Sequence, residues 1–111
     1  ALSTGNSITL CASAPFPLVA TDFSHILEAS DVPAGVVNIL TGPQAELAPH
    51  LGAHMGLDTV WCLSGAELTQ EVQARASSNI KRVWQGAAQD DHASWLDAGT
   101  ELKTIWIPYG E

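Results

Sequence analysis

Apolar residues follow two rhythms that alternate along this chain. Short runs rich in β-branched residues, apolar on both faces, occur at Ser7-Ile8-Thr9-Leu10-Cys11, Gly35-Val36-Val37-Asn38-Ile39-Leu40, Thr59-Val60-Trp61-Cys62-Leu63 and from Ile80 to about Gln85. Each is bounded by glycine, proline, serine or asparagine, and the pattern predicts strands over 7–11, 36–40, 59–63 and 80–84. Between them the apolar spacing is helical. Leu18, Val19, Phe23, Ile26 and Leu27 recur at that period until Asp31 and Pro33 stop it, Leu47, Leu51 and His54 follow Gly42-Pro43, and a more polar stretch from Ala66 to Ser77 follows Ser64-Gly65. Helices are predicted over 17–30, 44–54 and 66–77. Strands apolar on both faces belong in a parallel sheet covered by helices, and the strand–helix–strand spacing suits right-handed crossovers. The expected fold class is therefore α/β, a Rossmann-like parallel sheet of about four strands with helices on both faces.

The rhythm breaks after Gly86. Residues 87–99 are small and polar, with Trp95 and Leu96 as the only anchors, and read as a linker containing a short helical turn. Thr100 to Tyr109 is strongly β-prone, and Pro108 limits it to a sheet edge or a strand end. Alternation puts Leu102, Thr104 and Trp106 on one face and Lys103, Ile105, Ile107 and Tyr109 on the other, so both faces carry bulky apolar groups. The expected organisation is a Rossmann-like module over 1–86, a linker over 87–99 and a C-terminal interface strand over 100–111.

Length and charge narrow the function classes. A chain of 111 residues is at most one domain, with one core and no inter-domain cleft. Its net charge is −8, and only Arg75, Lys81, Arg82 and Lys103 are available to meet phosphates, which argues against nucleic acids and anionic membranes as partners. No apolar stretch approaches the roughly 20 residues that span a bilayer. Cys11 and Cys62, two widely spaced thiols inside apolar runs, read as reduced core residues of a soluble, cytoplasmic protein. The opening Ala1-Leu2-Ser3-Thr4-Gly5 reads as the tail of a helix with a glycine stop, as expected of a piece of something longer.

No catalytic constellation emerges. A nucleophilic cysteine needs a nearby base or helix dipole, and neither stands beside Cys11 or with certainty beside Cys62. His50 and His54 have the i, i+4 spacing of a metal face that His25 and His92 would have to complete, but Pro49 disturbs the helix and no third ligand has a fixed spacing. Asp90-Asp91-His92 falls in the most loop-like segment and reads as solvated linker. Trp61, Trp84, Trp95 and Trp106 all lie in the second half, and Trp95 and Trp106 lie outside the expected sheet. They either pack on the module's own edge or anchor a protein interface, where tryptophan is enriched. The second reading assigns an interface to Trp95, Leu102, Thr104, Ile105, Trp106 and Ile107.

Thr4-Gly5-Asn6-Ser7-Ile8-Thr9-Leu10, followed by Val32-Pro33-Ala34-Gly35-Val36-Val37-Asn38-Ile39-Leu40-Thr41-Gly42, resembles the cofactor domain of the aldehyde dehydrogenase superfamily. The likeness continues through Ala45-Glu46-Leu47, His54, Leu63-Ser64-Gly65-Ala66-Glu67 and Lys81-Arg82-Val83, and Thr100–Ile105 is similar to the C-terminal strand of the family's oligomerisation flap. The resemblance implies a missing catalytic domain and points to the incomplete second module of two-module aldehyde dehydrogenases. The departures fall on function. Where the family has a ribose-binding Lys and a cofactor-sorting Glu, this chain has Cys11 and Ala14. Its pyrophosphate turn is reduced to Ser64, Gly65 and Glu67, with Thr69 in place of a small glycine, and Trp84-Gln85-Gly86-Ala87 replaces the segment bearing the general base. The expectation is a non-catalytic module with no cofactor beyond weak NAD. It assembles with a catalytic aldehyde dehydrogenase module of the same polypeptide or a partner subunit, in an oligomer. The alternative is a vestigial NAD-binding regulatory module.

Overall fold

The computed structural model describes residues 1–87 and 89–108. After a 3-10 turn at Leu2–Thr4, strands and helices alternate: β1 (Ile8–Cys11), α1 (Leu18–Glu28), β2 (Val37–Leu40), α2 (Gln44–Ala53), β3 (Thr59–Cys62), α3 (Ala66–Ala76), β4 (Arg82–Gln85) and α4 (His92–Ala98). The architecture is the expected Rossmann-like α/β arrangement. β1 pairs with β2 in parallel, Ile8 opposite Val37 and Cys11 opposite Leu40, and β3 pairs with β4 in parallel, Thr59 opposite Arg82 and Cys62 opposite Gln85. The ladders form two two-stranded sheets rather than one four-stranded sheet.

Local chemistry explains the element boundaries. The Pro33-Ala34-Gly35-Val36 turn closes with the Val36 amide donating to the Pro33 carbonyl at 3.3 Å, and Gly35 holds φ at +84°, which a β-carbon would strain. Asn38 then donates its side-chain amide to the Gly35 carbonyl at 3.0 Å, so the Gly-Val-Val-Asn stretch is a self-fastened entry into β2. β4 begins two residues later than the apolar run suggests. Ile80 is fully exposed and lies in the turn of residues 77–80 that follows α3, outside the ladder.

The core is small. Among the described residues Ala12, Ala20, Cys62, Val72 and Ala76 are buried side chains, together with the hydroxyl-bearing Thr69, and of these only Thr69 and Val72 are sealed almost completely, each at 1% exposure. α3 supplies three of these six, and its main partner is α2. The two helices meet at Gly52, where a β-carbon would stand 3.0 Å from the Arg75 Cβ and 3.1 Å from the Val72 carbonyl oxygen. Lys81 ties the far end of α2 to β4 by donating to the carbonyls of Leu51 at 3.1 Å and His54 at 2.5 Å, a cation placed at the negative end of the helix.

The segment expected as a linker holds α4, and Trp95 on it packs against tryptophans of the same chain. Asp91 caps α4 by accepting from the Ser94 amide at 2.7 Å, and Trp95 packs edge-to-face on Trp61 and Trp84, with centroid separations of 5.4 and 5.0 Å. Trp61 and Trp84 also meet edge-to-face at 5.4 Å, so three of the four tryptophans form one cluster within the chain. The end of α4 is a clasp. The Gly99 carbonyl accepts from Thr4 Oγ1 at 3.1 Å and Asn6 Nδ2 at 2.7 Å, the Ala98 carbonyl from Trp61 Nε1 at 3.3 Å, and the Thr100 carbonyl from Arg82 at 2.7 Å. Residues 98–100 thereby link the leading end of the first strand pair to both strands of the second.

Beyond the clasp, residues 101–108 are exposed and form no ladder, so the expected C-terminal strand is unpaired here. The Cα radius of gyration is 16.1 Å, larger than the roughly 13 Å of a compact domain of this length. Tyr109, assigned to that strand in the sequence, lies outside the described residues, as does the end of the 100–111 segment.

Candidate functional site

β1 and β3 border a common cleft of about 550 Å³. Residues 7–11 line one side and residues 57–64 the other, while β2 contributes only Val37 and β4 nothing. Phe23, Leu51, Leu68, Val72 and Trp95 reach it from all four helices, so the lining is mainly apolar. Cys11 and Cys62, the last residues of β1 and β3, both border the cleft. Burial pushes both thiols above their usual range. At Cys62 a hydrogen bond with Thr69 partly opposes this. Both thiols are therefore protonated at neutral pH and are poor nucleophiles.

The residues at the dinucleotide-binding positions give a mixed fit. Gly65 stands at the N-cap of α3 with no side-chain cap hydrogen bond, and nothing lies within 4 Å of where its β-carbon would be. The remaining donors are wrong for a tightly held dinucleotide. Glu67 already places an exposed carboxylate on the first turn of α3, Ser64 spends its hydroxyl on Gln44 Oε1 at 3.0 Å, Ala14 is exposed with no polar group, and Cys11 offers a half-buried thiol where a ribose hydroxyl would need a charge or a strong donor.

The other sequence candidates have structural roles. His50 is exposed on α2, whereas His54 has left the helix with ψ near 118° and accepts from the Gly56 amide at Nδ1, so the two do not share a helical face. Among the described residues no group of three or more His, Cys, Asp or Glu gathers to hold a metal. Asp90 and Asp91 belong to the architecture of α4. Asp90 accepts from the Ala87 amide at 2.7 Å, and the Asp91 carboxyl is held below its usual range by its bonds to Ser94, as expected of an N-cap. That cap was legible as Asp91 three residues before Ser94 at the head of Trp95-Leu96. The tail residues Leu102, Ile105, Trp106 and Ile107 are 95, 79, 89 and 67% exposed.

No helix is long and apolar enough to cross a membrane among the described residues. Residues 1–88 match the model of the aldehyde dehydrogenase family. The chain is 30% identical over 83 residues to a betaine aldehyde dehydrogenase of Bacillus subtilis, covering 75% of this chain and 17% of that protein. It is 31% identical over 113 residues to an aldehyde dehydrogenase of Agaricus bisporus, covering 99% and 22%. Similarity to a D-glyceraldehyde dehydrogenase (NADP(+)) of Picrophilus torridus is 27% over 113 residues, covering 98% and 23%. The chain thus spans about a fifth of the length of these relatives. The family match over the parallel strands and their helices, joined to the Pro33–Asn38 turn and strand described above, shows that this chain belongs to the aldehyde dehydrogenase family.

Proposed function

We propose that this chain is a non-catalytic aldehyde dehydrogenase module with a structural, assembling role, working beside a catalytic module of the same polypeptide or of a partner subunit. The NAD-dependent oxidation of aldehydes to carboxylic acids is the work of that other module. The observation that carries the reading is the tail: two isoleucines, a leucine and a tryptophan stand in water on a segment with β propensity and no ladder of its own. Supporting it, burial raises both thiols, Cys11 and Cys62, above their usual range, which disfavours the thiolate form. Burying Trp106 with Ile105 and Ile107 against a partner would contribute roughly 4–8 kcal/mol before ordering costs. Changing Trp106→Ala together with Ile105→Lys is expected to dissociate the assembly, read as a fall in mass by light scattering, while the far-ultraviolet circular dichroism of the core stays unchanged. A variant that keeps its parent's mass would reduce the tail to local packing.

The second reading, a regulatory module that still holds NAD, rests on the N-terminus of α3, which has no side-chain cap. Titration decides between them. With Cys11, Ala14 and Glu67 at the cofactor positions, the expected result is no saturation by NAD below about a millimolar, which corresponds to roughly −4 kcal/mol. Micromolar affinity would establish the regulatory reading instead.

A further inference from the structure

The chain has three sulfur atoms, in Cys11, Met55 and Cys62, and they differ in access to solvent. Cys62 is buried at 8% exposure and Cys11 is half-buried, and burial raises both thiols, so neither offers much of the thiolate that oxidants attack. Met55 is 77% exposed. A thioether needs no ionisation to be oxidised, so an oxidant reaching this chain meets the Met55 sulfur first.

Met55 is also a contact between two turns. It stands in the turn at residues 54–57 that leads from α2 into β3, and its Sδ accepts from Asn79 Nδ2 at 3.6 Å, in the turn of residues 77–80 between α3 and β4. Backbone bonds fix both turns. The Leu57 amide donates to the His54 carbonyl at 3.3 Å, the Gly56 amide to His54 Nδ1 at 3.0 Å and the Asn79 amide to the Ala76 carbonyl at 3.1 Å. Asn79 is poorly served by its surroundings. Its Oδ1 is buried with no partner among the described residues, and its Nδ2 donates to a thioether, a weak acceptor.

Oxidation would change that acceptor rather than remove it. A peroxide transfers one oxygen atom to the sulfur lone pair: the S–O bond forms, the O–O bond breaks, sulfur loses two electrons, and the peroxide is reduced to water or an alcohol. The sulfoxide oxygen is a far stronger acceptor than the thioether. Methionine oxidation ordinarily disrupts by placing a polar group in an apolar contact, but Met55 lies in water with an amide donor as its neighbour. Its side chain is unbranched and turns about three bonds, so the new oxygen can meet the Asn79 N–H at about 2.9 Å.

We propose that Met55 is an oxidation site whose sulfoxide fastens the α2–β3 turn to the α3–β4 turn through Asn79, so that peroxide tightens this corner of the module instead of loosening it.

Because the sequence holds a single methionine, enzymatic reversal of sulfoxide reports on Met55 alone. The full chain is treated with hydrogen peroxide and then dithiothreitol, and half is incubated with methionine sulfoxide reductases for both epimers, with peptide mapping of the added oxygen. The expected result is oxygen on Met55 and a Tm about 2–5 °C higher in the sulfoxide half, with slower amide exchange at Gly56, Leu57 and Asn79. Asn79→Ala and Asn79→Asp, which have no side-chain N–H, should abolish the rise or turn it into a fall. Peroxide that leaves Met55 unmodified overturns the site. A sulfoxide form no more stable than its reduced counterpart overturns the fastening, as does a rise that survives in either Asn79 variant.

Discussion

Replacing Trp61 by alanine will lower stability more than any other single aromatic truncation in the chain. Trp61 touches both other members of the tryptophan cluster, at centroid separations of 5.4 Å each, and its Nε1 donates to the Ala98 carbonyl within the clasp. Removing it leaves a cavity beside Trp84 and Trp95, breaks the bond from β3 to the clasp, and frees α4 on the side of the second strand pair. Large-to-small changes at tryptophan cost about 3–5 kcal/mol when the ring is sealed, and Trp61 is half-buried, so the lower end applies. Against the roughly 5–15 kcal/mol of a typical domain, a loss of about 3 kcal/mol is severe and corresponds to roughly 10–20 °C in Tm. Trp61→Phe retains an aromatic edge but loses the hydrogen bond, and should cost about 1 kcal/mol for that bond besides the lost ring area. Thermal unfolding followed by tryptophan emission checks both. A Tm within a few degrees of the parent for Trp61→Ala would show that the cluster does not hold the clasp.

How far the fold was legible follows from the range over which each signal acts. The β-branched runs and helical spacing placed all four strands and the first three helices within about two residues, because strand and helix periods are properties of the local chain. The pairing of β1 with β2 was equally accessible, since a helix between two strands allows little else than a parallel crossover. What escaped depends on distant partners. Helix α4 hides in a polar segment because its stability comes from the Asp91 cap and from Trp95 reaching two rings on β3 and β4, neither of which its own periodicity displays. Trp95 lies outside the sheet in sequence, so its contact with Trp61 and Trp84 was open only as one of two readings. His54 carried the i, i+4 spacing to His50, but Pro49 inside α2 and the turn at residues 54–57 take its side chain off the helix. At the positions that the family resemblance matches to the dinucleotide site the residue identities were readable directly, and the structure adds that Ser64 is engaged with Gln44 while α3 has no side-chain cap at Gly65.

Gly52→Val is expected to break the contact on which the small core depends. Glycine inside a helix ordinarily costs roughly 0.5–1 kcal/mol relative to alanine, so a substitution in a free α2 would be neutral or favourable. Here the sign reverses. A β-carbon at this position meets the Val72 carbonyl at 3.1 Å, the Val72 Cα at 3.4 Å and the Arg75 Cβ at 3.0 Å. Those atoms belong to the α3 backbone or its first side-chain carbon and cannot rotate aside, so relief requires α2 and α3 to separate. Separation uncovers Val72 and Thr69, the two most deeply buried side chains, and pulls the Leu51 and His54 carbonyls away from Lys81. Overpacking of this kind typically costs about 1–3 kcal/mol, and the branched side chain puts Gly52→Val at the upper end, with Gly52→Ala intermediate. Urea unfolding should show the midpoints falling in the order glycine, alanine, valine. Amide exchange should accelerate in α2 and α3 while the β1–β2 ladder, which is hydrogen-bonded independently of that contact, keeps its protection relative to the global unfolding rate. An alanine variant more stable than the parent would mean that the helices can move apart without cost, and that the core is held by the tryptophan cluster alone.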